Sequence, residues 1–130
     1  MSGWSADELT TIGRAEELQL ASRRRDGSLR RFVTLWVVRS GDDIYVRSAY
    51  GYDNPWFQRA LASGEGRIRV AGIQRDVAFE PAGPDDAAGI DAAAGIGAAY
   101  HAKYDRHGPR MVGTVVSPEA VRSTLRVVAR

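Results

Sequence analysis

The order of apolar and polar positions divides the chain into short segments of changing period. Ser5 followed three residues later by Glu8 is a capping box, since each side chain can bond the other's backbone N–H; it predicts a helix over residues 6–12 that Gly13 ends. Residues 16–22 alternate over part of their length and predict a strand, and Asp26-Gly27 marks a tight turn after it. Residues 32–39 (Phe-Val-Thr-Leu-Trp-Val-Val-Arg) are β-branched or aromatic at positions of both parities, which predicts a strand buried on both faces. A turn at 40–43 returns the chain into Ile44-Tyr45-Val46-Arg47-Ser48, so residues 30–48 predict a hairpin.

Asn54 as N-cap and Pro55 at the first helical position open a helix that Ser63-Gly64 closes. Residues 67–70 and 75–80 predict a second hairpin around Gly72, its charged residues alternating outward. Pro81 and Pro84 precede an alanine-rich helix over residues 86–104, weakened by Gly89, Gly95 and Gly97. Past Gly108-Pro109, residues 111–116 are apolar and read as extended, Ser117-Pro118-Glu119 caps a single helical turn, and residues 123–129 read as a final strand. The expected architecture is mainly β with α: a single domain over residues 1–130, an antiparallel barrel of about six strands with flanking helices. Closure hides the sheet edges.

Composition narrows the chemistry. A chain of 130 residues, 44% apolar and 26% charged, is long enough to bury about two thirds of its unfolded surface in one domain. No cysteine is present, which excludes disulfides, thiolate-ligated metals and a cysteine nucleophile. The first residues lack the basic start and apolar core of a secretory signal, and no apolar run approaches the roughly 20 residues of a membrane span. A soluble cytoplasmic protein is the expectation. A net charge of +2 is too weak a field to argue for nucleic acid. Of the 18 basic residues, however, only Lys103 is a lysine. GC-rich coding produces such a bias; arginine is also the side chain suited to bidentate capture of phosphate or carboxylate.

Three segments carry candidate chemistry. Residues 23–31 hold Arg23, Arg24, Arg25, Arg30 and Arg31 against Asp26, either a solvated turn or an anion cradle. Neighbours on a strand face opposite ways, so only one of Arg30 and Arg31 can point inward. Arg47-Ser48-Ala49-Tyr50-Gly51, running to Asn54-Pro55-Trp56, offers a guanidinium, a hydroxyl, a glycine turn and a helix N-terminus to an anion. Tyr50, Tyr52 and Trp56 add flat apolar surface there, while Phe57 reads as a core anchor. Tyr100, Lys103 and Tyr104 share a helix face at i, i+3 and i+4: either an ordinary packing face, or a lid over a ligand. His101 and His107 make no metal pattern, and there is no nucleophile elbow, phosphate-binding Gly-Lys loop or dinucleotide glycine fingerprint.

The segments Arg31-Phe32-Val33-Thr34-Leu35-Trp36-Val37-Val38, Gly41-Asp42-Asp43-Ile44-Tyr45-Val46-Arg47-Ser48, Gly51 and Pro55-Trp56 resemble the core of the flavin- and deazaflavin-binding split β-barrels. That superfamily includes pyridoxamine phosphate oxidase-like proteins and deazaflavin-dependent nitroreductases. Within it the chain resembles a domain-of-unknown-function family marked by Tyr-Val-Arg-Ser, by Ala99-Tyr100-His101-Ala102-Lys103-Tyr104 and by Thr124-Leu125-Arg126. The resemblance implies a homodimer binding FMN or deazaflavin F420 in an interfacial cleft. Arg30 or Arg31 then contacts the cofactor phosphate, and Arg47, Ser48 and Gly51 complete that site. Trp56 matches the aromatic residue of the following helix. Thr34 and Lys103 are further expected cofactor contacts, and Tyr100 or Tyr104 is the expected proton donor. On this reading the chain is an oxidoreductase, nitroreductase-like, acting on a small molecule. The competing expectation is a cofactor-less barrel that binds a ligand or protein. Nucleic-acid binding is disfavoured because Phe32 and Trp36, the aromatics nearest the arginines, lie in a strand read as buried.

Overall fold

The computed structural model describes residues 3–83 and 87–130. Its seven strands are β1 (Leu18–Ser22), β2 (Val33–Leu35), β3 (Val38–Ser40), β4 (Asp43–Arg47), β5 (Glu65–Val70), β6 (Ile73–Pro81) and β7 (Thr124–Ala129). All pair antiparallel in one sheet of order β2-β1-β5-β6-β7-β4-β3. The two edge strands, β2 and β3, are separated in the chain only by Trp36 and Val37. Three peptide links reach at most about 11 Å, whereas the strand steps of a flat sheet this wide would span about 29 Å. The sheet must therefore curl until its edges approach, and the fold is a split β-barrel.

Two cores follow from the curl. Inside the barrel lie Leu18, Leu20, Ile44, Val46, Ile68, Val77, Phe79, Leu125 and Val127, closed by Leu9 and Ile12 of helix α1 (Ala6–Arg14) and by Phe57 and Ala60 of α2 (Pro55–Ser63). Trp4 joins this core, its indole N–H donating to the Val127 carbonyl at 2.9 Å. Outside lies a second cluster of Val38, Tyr45, Ile96, Tyr100, Tyr104, Val112 and Val115, where α3 (Ala87–Tyr104) and α4 (Pro109–Val116) cover β3 and β4. Strand β4 is consequently buried on both faces, Ile44 and Val46 inward and Tyr45 outward. A short helix α5 (Pro118–Arg122) leads into β7.

The capping box at Ser5 and Glu8 forms as expected, but α1 runs through Gly13 to Arg14, and the Ala15 N–H closes it by donating to the Thr11 and Ile12 carbonyls. The single strand expected over residues 32–39 is broken into β2 and β3 to pass from one sheet edge to the other. Thr34 and Arg39 are exposed, so burial on both faces does not hold there. Only the β3 half joins the hairpin with β4; β2 pairs with β1. Residues 111–116 are helical rather than extended. Pro109 at the start of α4 supplies a pre-set helical φ, and Val112 and Val115, three apart, bury one face. The sheet has seven strands where about six were expected. Pro84 and the first residue of the expected alanine-rich helix lie outside the described residues.

Candidate functional site

A cavity of 320 Å³ opens beside the barrel's split, walled by Val33, Thr34 and Leu35 of β2, by Tyr50, and by Trp56 and Met111 from α2 and α4. Asn54 lines it too, and makes no side-chain bond to the first turn of α2. Val33 and Trp56 also wall a smaller hollow of 140 Å³ with Arg30, Arg31 and Arg59. Arg30 and Arg59 in turn belong to a cleft of 650 Å³ with Arg23, Arg24 and Arg25. Shared walls make these three hollows neighbours along one groove-like run, apolar and aromatic at one end and lined with guanidinium groups at the other.

Most of the charge in this groove is uncompensated, Arg23 alone of its described arginines meeting a carboxylate, Asp76, at 3.2 Å. Several arginines elsewhere are paired: Arg75 with Glu8 at 2.6 Å, Arg67 with Asp76 at 2.9 Å, Arg126 with Glu80 and Arg106 with Glu16. Among the described residues, Arg25, Arg30, Arg31 and Arg59 have no carboxylate and no hydrogen-bond acceptor. The Arg30 Nε is in addition buried without a partner. A buried donor left unsatisfied costs about 1–3 kcal/mol, more when charged, and the Arg30 side chain would recover that cost by turning its guanidinium edge to an oxyanion in the groove.

The expected site residues divide. Arg30, Arg31, Thr34, Arg47 and Trp56 all line the groove. Arg47, however, is only 2% exposed, and its N–H groups serve the protein: Nε donates to Thr124 Oγ1 at 3.0 Å, Nη1 to the Val115 carbonyl at 3.0 Å and Nη2 to the Ala93 carbonyl at 3.2 Å. Burial draws its pKa down, and Tyr100 stacks 5.4 Å from its guanidinium. Ser48 and Gly51 are buried and outside the groove walls. The Ser48 N–H donates to the Ser123 carbonyl, and Gly51, at φ +88°, closes a turn by donating to the Ser48 carbonyl. That turn ties the exit of β4 to the start of β7.

Lys103, Tyr100 and Tyr104 also lie away from the groove. Lys103 edges a separate hollow of 510 Å³ between α1, β3 and α3. Its Nζ donates to the Val37 carbonyl at 2.6 Å. The Tyr104 hydroxyl accepts the Val37 N–H at 3.1 Å and faces the carbonyls of Glu16 at 2.7 Å and Val37 at 3.0 Å. Val37 sits where the strand breaks and has no ladder partner, so these two side chains satisfy its backbone in place of a neighbouring strand. Trp36 stacks on Tyr104 with centroids 4.1 Å apart. Burial pushes Tyr104 up to about 12 and Tyr100 higher still; the Tyr100 hydroxyl is buried without a partner. The end of α3 is thus a plug in the barrel's split, and neither tyrosine reaches the groove as a proton donor.

Half-burial lowers Lys103 to about 8, against 10.5 for the free side chain. Below pH 8 the ammonium is charged in folded and unfolded chains alike. Between pH 8 and about 10 the unfolded chain holds the proton more tightly, so this group makes stability rise with pH. Above that the buried tyrosines oppose it. Urea midpoints at pH 7.5 and 9.5 should increase for the natural chain and stay level for Lys103→Met.

Arg59 and Met111 are groove residues that the sequence did not single out. Arg59 lies three residues after Trp56 on α2, the spacing of one helix face, and that was the signal for it. Met111 carried none while its segment read as a strand.

A sequence model of the family described as "uncharacterized protein conserved in bacteria (DUF2255)" matches residues 8–127. The chain belongs to that family. Among solved structures, this DUF2255 chain is similar to the conserved hypothetical protein Rv2991 of Mycobacterium tuberculosis, with TM-score 0.66 and 13% identity over 98% of this chain and 81% of that one. A FAD-binding protein of Mesorhizobium loti, mll6688, gives TM-score 0.59 and 20% identity over 98% and 91% of the two chains. An F420 reductase gives 0.51 and 13% over 93% and 90%. At such identities these likenesses show the fold. No curated protein sequence matches the chain. Among the described residues no helix is long and apolar enough to cross a membrane.

Proposed function

We propose that this chain binds a phosphorylated flavin-type cofactor, FMN or deazaflavin F420, and uses it to pass hydride or electrons to a small molecule. The observation that carries the reading is the polarity of the groove, with the orphaned Arg30 Nε at its centre. The two similar structures named for FAD and F420 support it, since the same fold holds such cofactors there. Arg30, Arg31 and Arg59 would hold the phosphate; Trp56, Trp36 and Leu35 would offer flat apolar walls to the ring, with Thr34 as a polar contact at its edge. The redox chemistry is that of the isoalloxazine or deazaflavin ring, and the protein supplies anchoring, orientation and exclusion of water. A similar structure is a heme storage protein, HutZ of Vibrio cholerae, with TM-score 0.59 and 8% identity over 98% of this chain. Neither histidine of this chain lines the groove, however: His101 bonds Asp105 at 2.8 Å and His107 bonds Glu16 at 2.6 Å.

The groove's mouth carries the large exposed apolar residues Tyr50 and Met111, 83% and 53% accessible, with Tyr52 nearby. A second copy covering them would complete the walls around the ring, so the proposal includes a homodimer.

Titration with FMN and with F420, followed by absorbance and fluorescence, tests the reading. Binding in the micromolar range is expected for at least one, and Arg30→Ala should weaken it by about 10- to 100-fold, the worth of charged hydrogen bonds to phosphate. No spectral change with either would end the proposal.

A further inference from the structure

Resting on that reading, the groove continues past the point that one phosphate would fill. Beyond Arg30 and Arg59 it widens into the 650 Å³ cleft walled by Arg23, Arg24 and Arg25. Two of these are braced by the turn they sit on. Arg23 Nη1 donates to the Gly27 carbonyl at 2.7 Å and its Nη2 meets Asp76 at 3.2 Å, while Arg24 Nη1 donates to the Leu29 carbonyl at 2.9 Å. Arg25 has no partner among the described residues. The carboxylate in the cleft wall, Glu65, is already held by Arg130 at 2.5 Å and so neutralises none of them. Asp26, at the tip of the turn, accepts from the Ser28 N–H at 2.9 Å and hydroxyl at 2.6 Å, and its charge faces Arg24, which leaves Arg25, Arg30 and Arg59 uncompensated. No aromatic ring lines this cleft, so it offers no stacking platform. Its donors match oxyanions, and several at once.

We infer that the arginine cleft is a second anion subsite, and that the ligand of this groove carries an acidic extension, phosphate or carboxylate, beyond its first phosphate. The arginine turn at residues 23–31 is then the element that selects extended cofactors over FMN. A second phosphate, as in FAD, and a carboxylate tail, as in F420, are the two sources of that chemistry.

The test measures dissociation constants of FMN, FAD and F420 for the full chain at low and moderate salt, with Arg25→Gln and Arg25→Glu beside the natural sequence. Arg25 is an exposed turn residue, and circular dichroism checks that the variants fold. At least one extended cofactor should bind 10-fold or more tighter than FMN. That advantage should shrink stepwise in the two variants and fall more steeply with salt, while FMN changes less than twofold. FMN binding as tightly as both extended cofactors, or Arg25 variants weakening all three alike, would overturn the inference and leave the cofactor reading standing. Inorganic tripolyphosphate provides the arm without a ring. If no flavin or deazaflavin binds, but tripolyphosphate raises the melting temperature of the natural chain and not of Arg25→Glu, the cofactor reading fails and the anion subsite holds. If tripolyphosphate fails as well, both fall.

Discussion

Gly66→Ala is expected to lower the melting temperature by about 10 °C or more. Gly66 lies on β5 opposite Ser22 of β1. A Cβ there would stand 2.0 Å from the Ala21 carbonyl oxygen and 3.0 Å from the Phe79 ring. The first contact is with backbone, which can yield only if β1 moves away from β5 and gives up ladder bonds; the second is with a core side chain. Overpacking of this kind costs about 3 kcal/mol, and each kcal/mol is worth about 3–5 °C in a domain this size. Gly97→Ala in α3 is the control: nothing lies within 4 Å of that position, and its φ is not in the left-handed region. It should raise stability by a few tenths to about 1 kcal/mol. Thermal melts of both variants decide the matter, and a Gly66→Ala protein melting within 3 °C of the natural chain would contradict the packing described.

Arg47→Ala should cost about 3–4 kcal/mol in chemical denaturation. Its guanidinium joins three elements: Thr124 on β7, Val115 at the end of α4 and Ala93 in α3. The Val115 carbonyl belongs to the last turn of α4, where a cation bonding the free carbonyls also answers the helix dipole. Truncation leaves those acceptors in a closed space and adds a cavity beside Tyr100. Hydrogen exchange should localise the loss, with α4 amides losing protection before those of β5 and β6. A variant with full stability and reduced cofactor binding would instead make Arg47 a ligand contact.

The two roles of arginine in this chain show how far residue type alone can be read. Position 47 and positions 30 and 31 were equal candidates for a phosphate, since each is a guanidinium at the start or end of a strand. What separates them is the neighbouring chain. Arg47 is roofed by α3 and α4 and satisfied there, whereas Arg30 keeps a buried Nε with no acceptor. The Tyr-x-x-Lys-Tyr segment misled for the same reason: its i, i+3, i+4 face was legible, but its target is the Val37 backbone, exposed by a strand break with no local sequence signal.

Local chemistry settled the parts of this protein that depend on a few adjacent residues. The capping box at Ser5 and Glu8, the Pro55 start of α2, the alternation along β5 and β6 and the alanine-rich α3 were all determined by backbone and capping preferences within one or two turns. So was the gathering of arginines at residues 23–31. Tertiary structure decided the rest, because burial is shared between segments far apart in sequence. Curling the sheet divided residues 32–39 between two edges. Burial of Val112 and Val115 in the cluster with Tyr45 and Tyr100 made residues 111–116 helical. Bringing α2 beside the arginine turn joined Arg59 and Trp56 to Arg30, and so made one groove from residues that no local pattern connects.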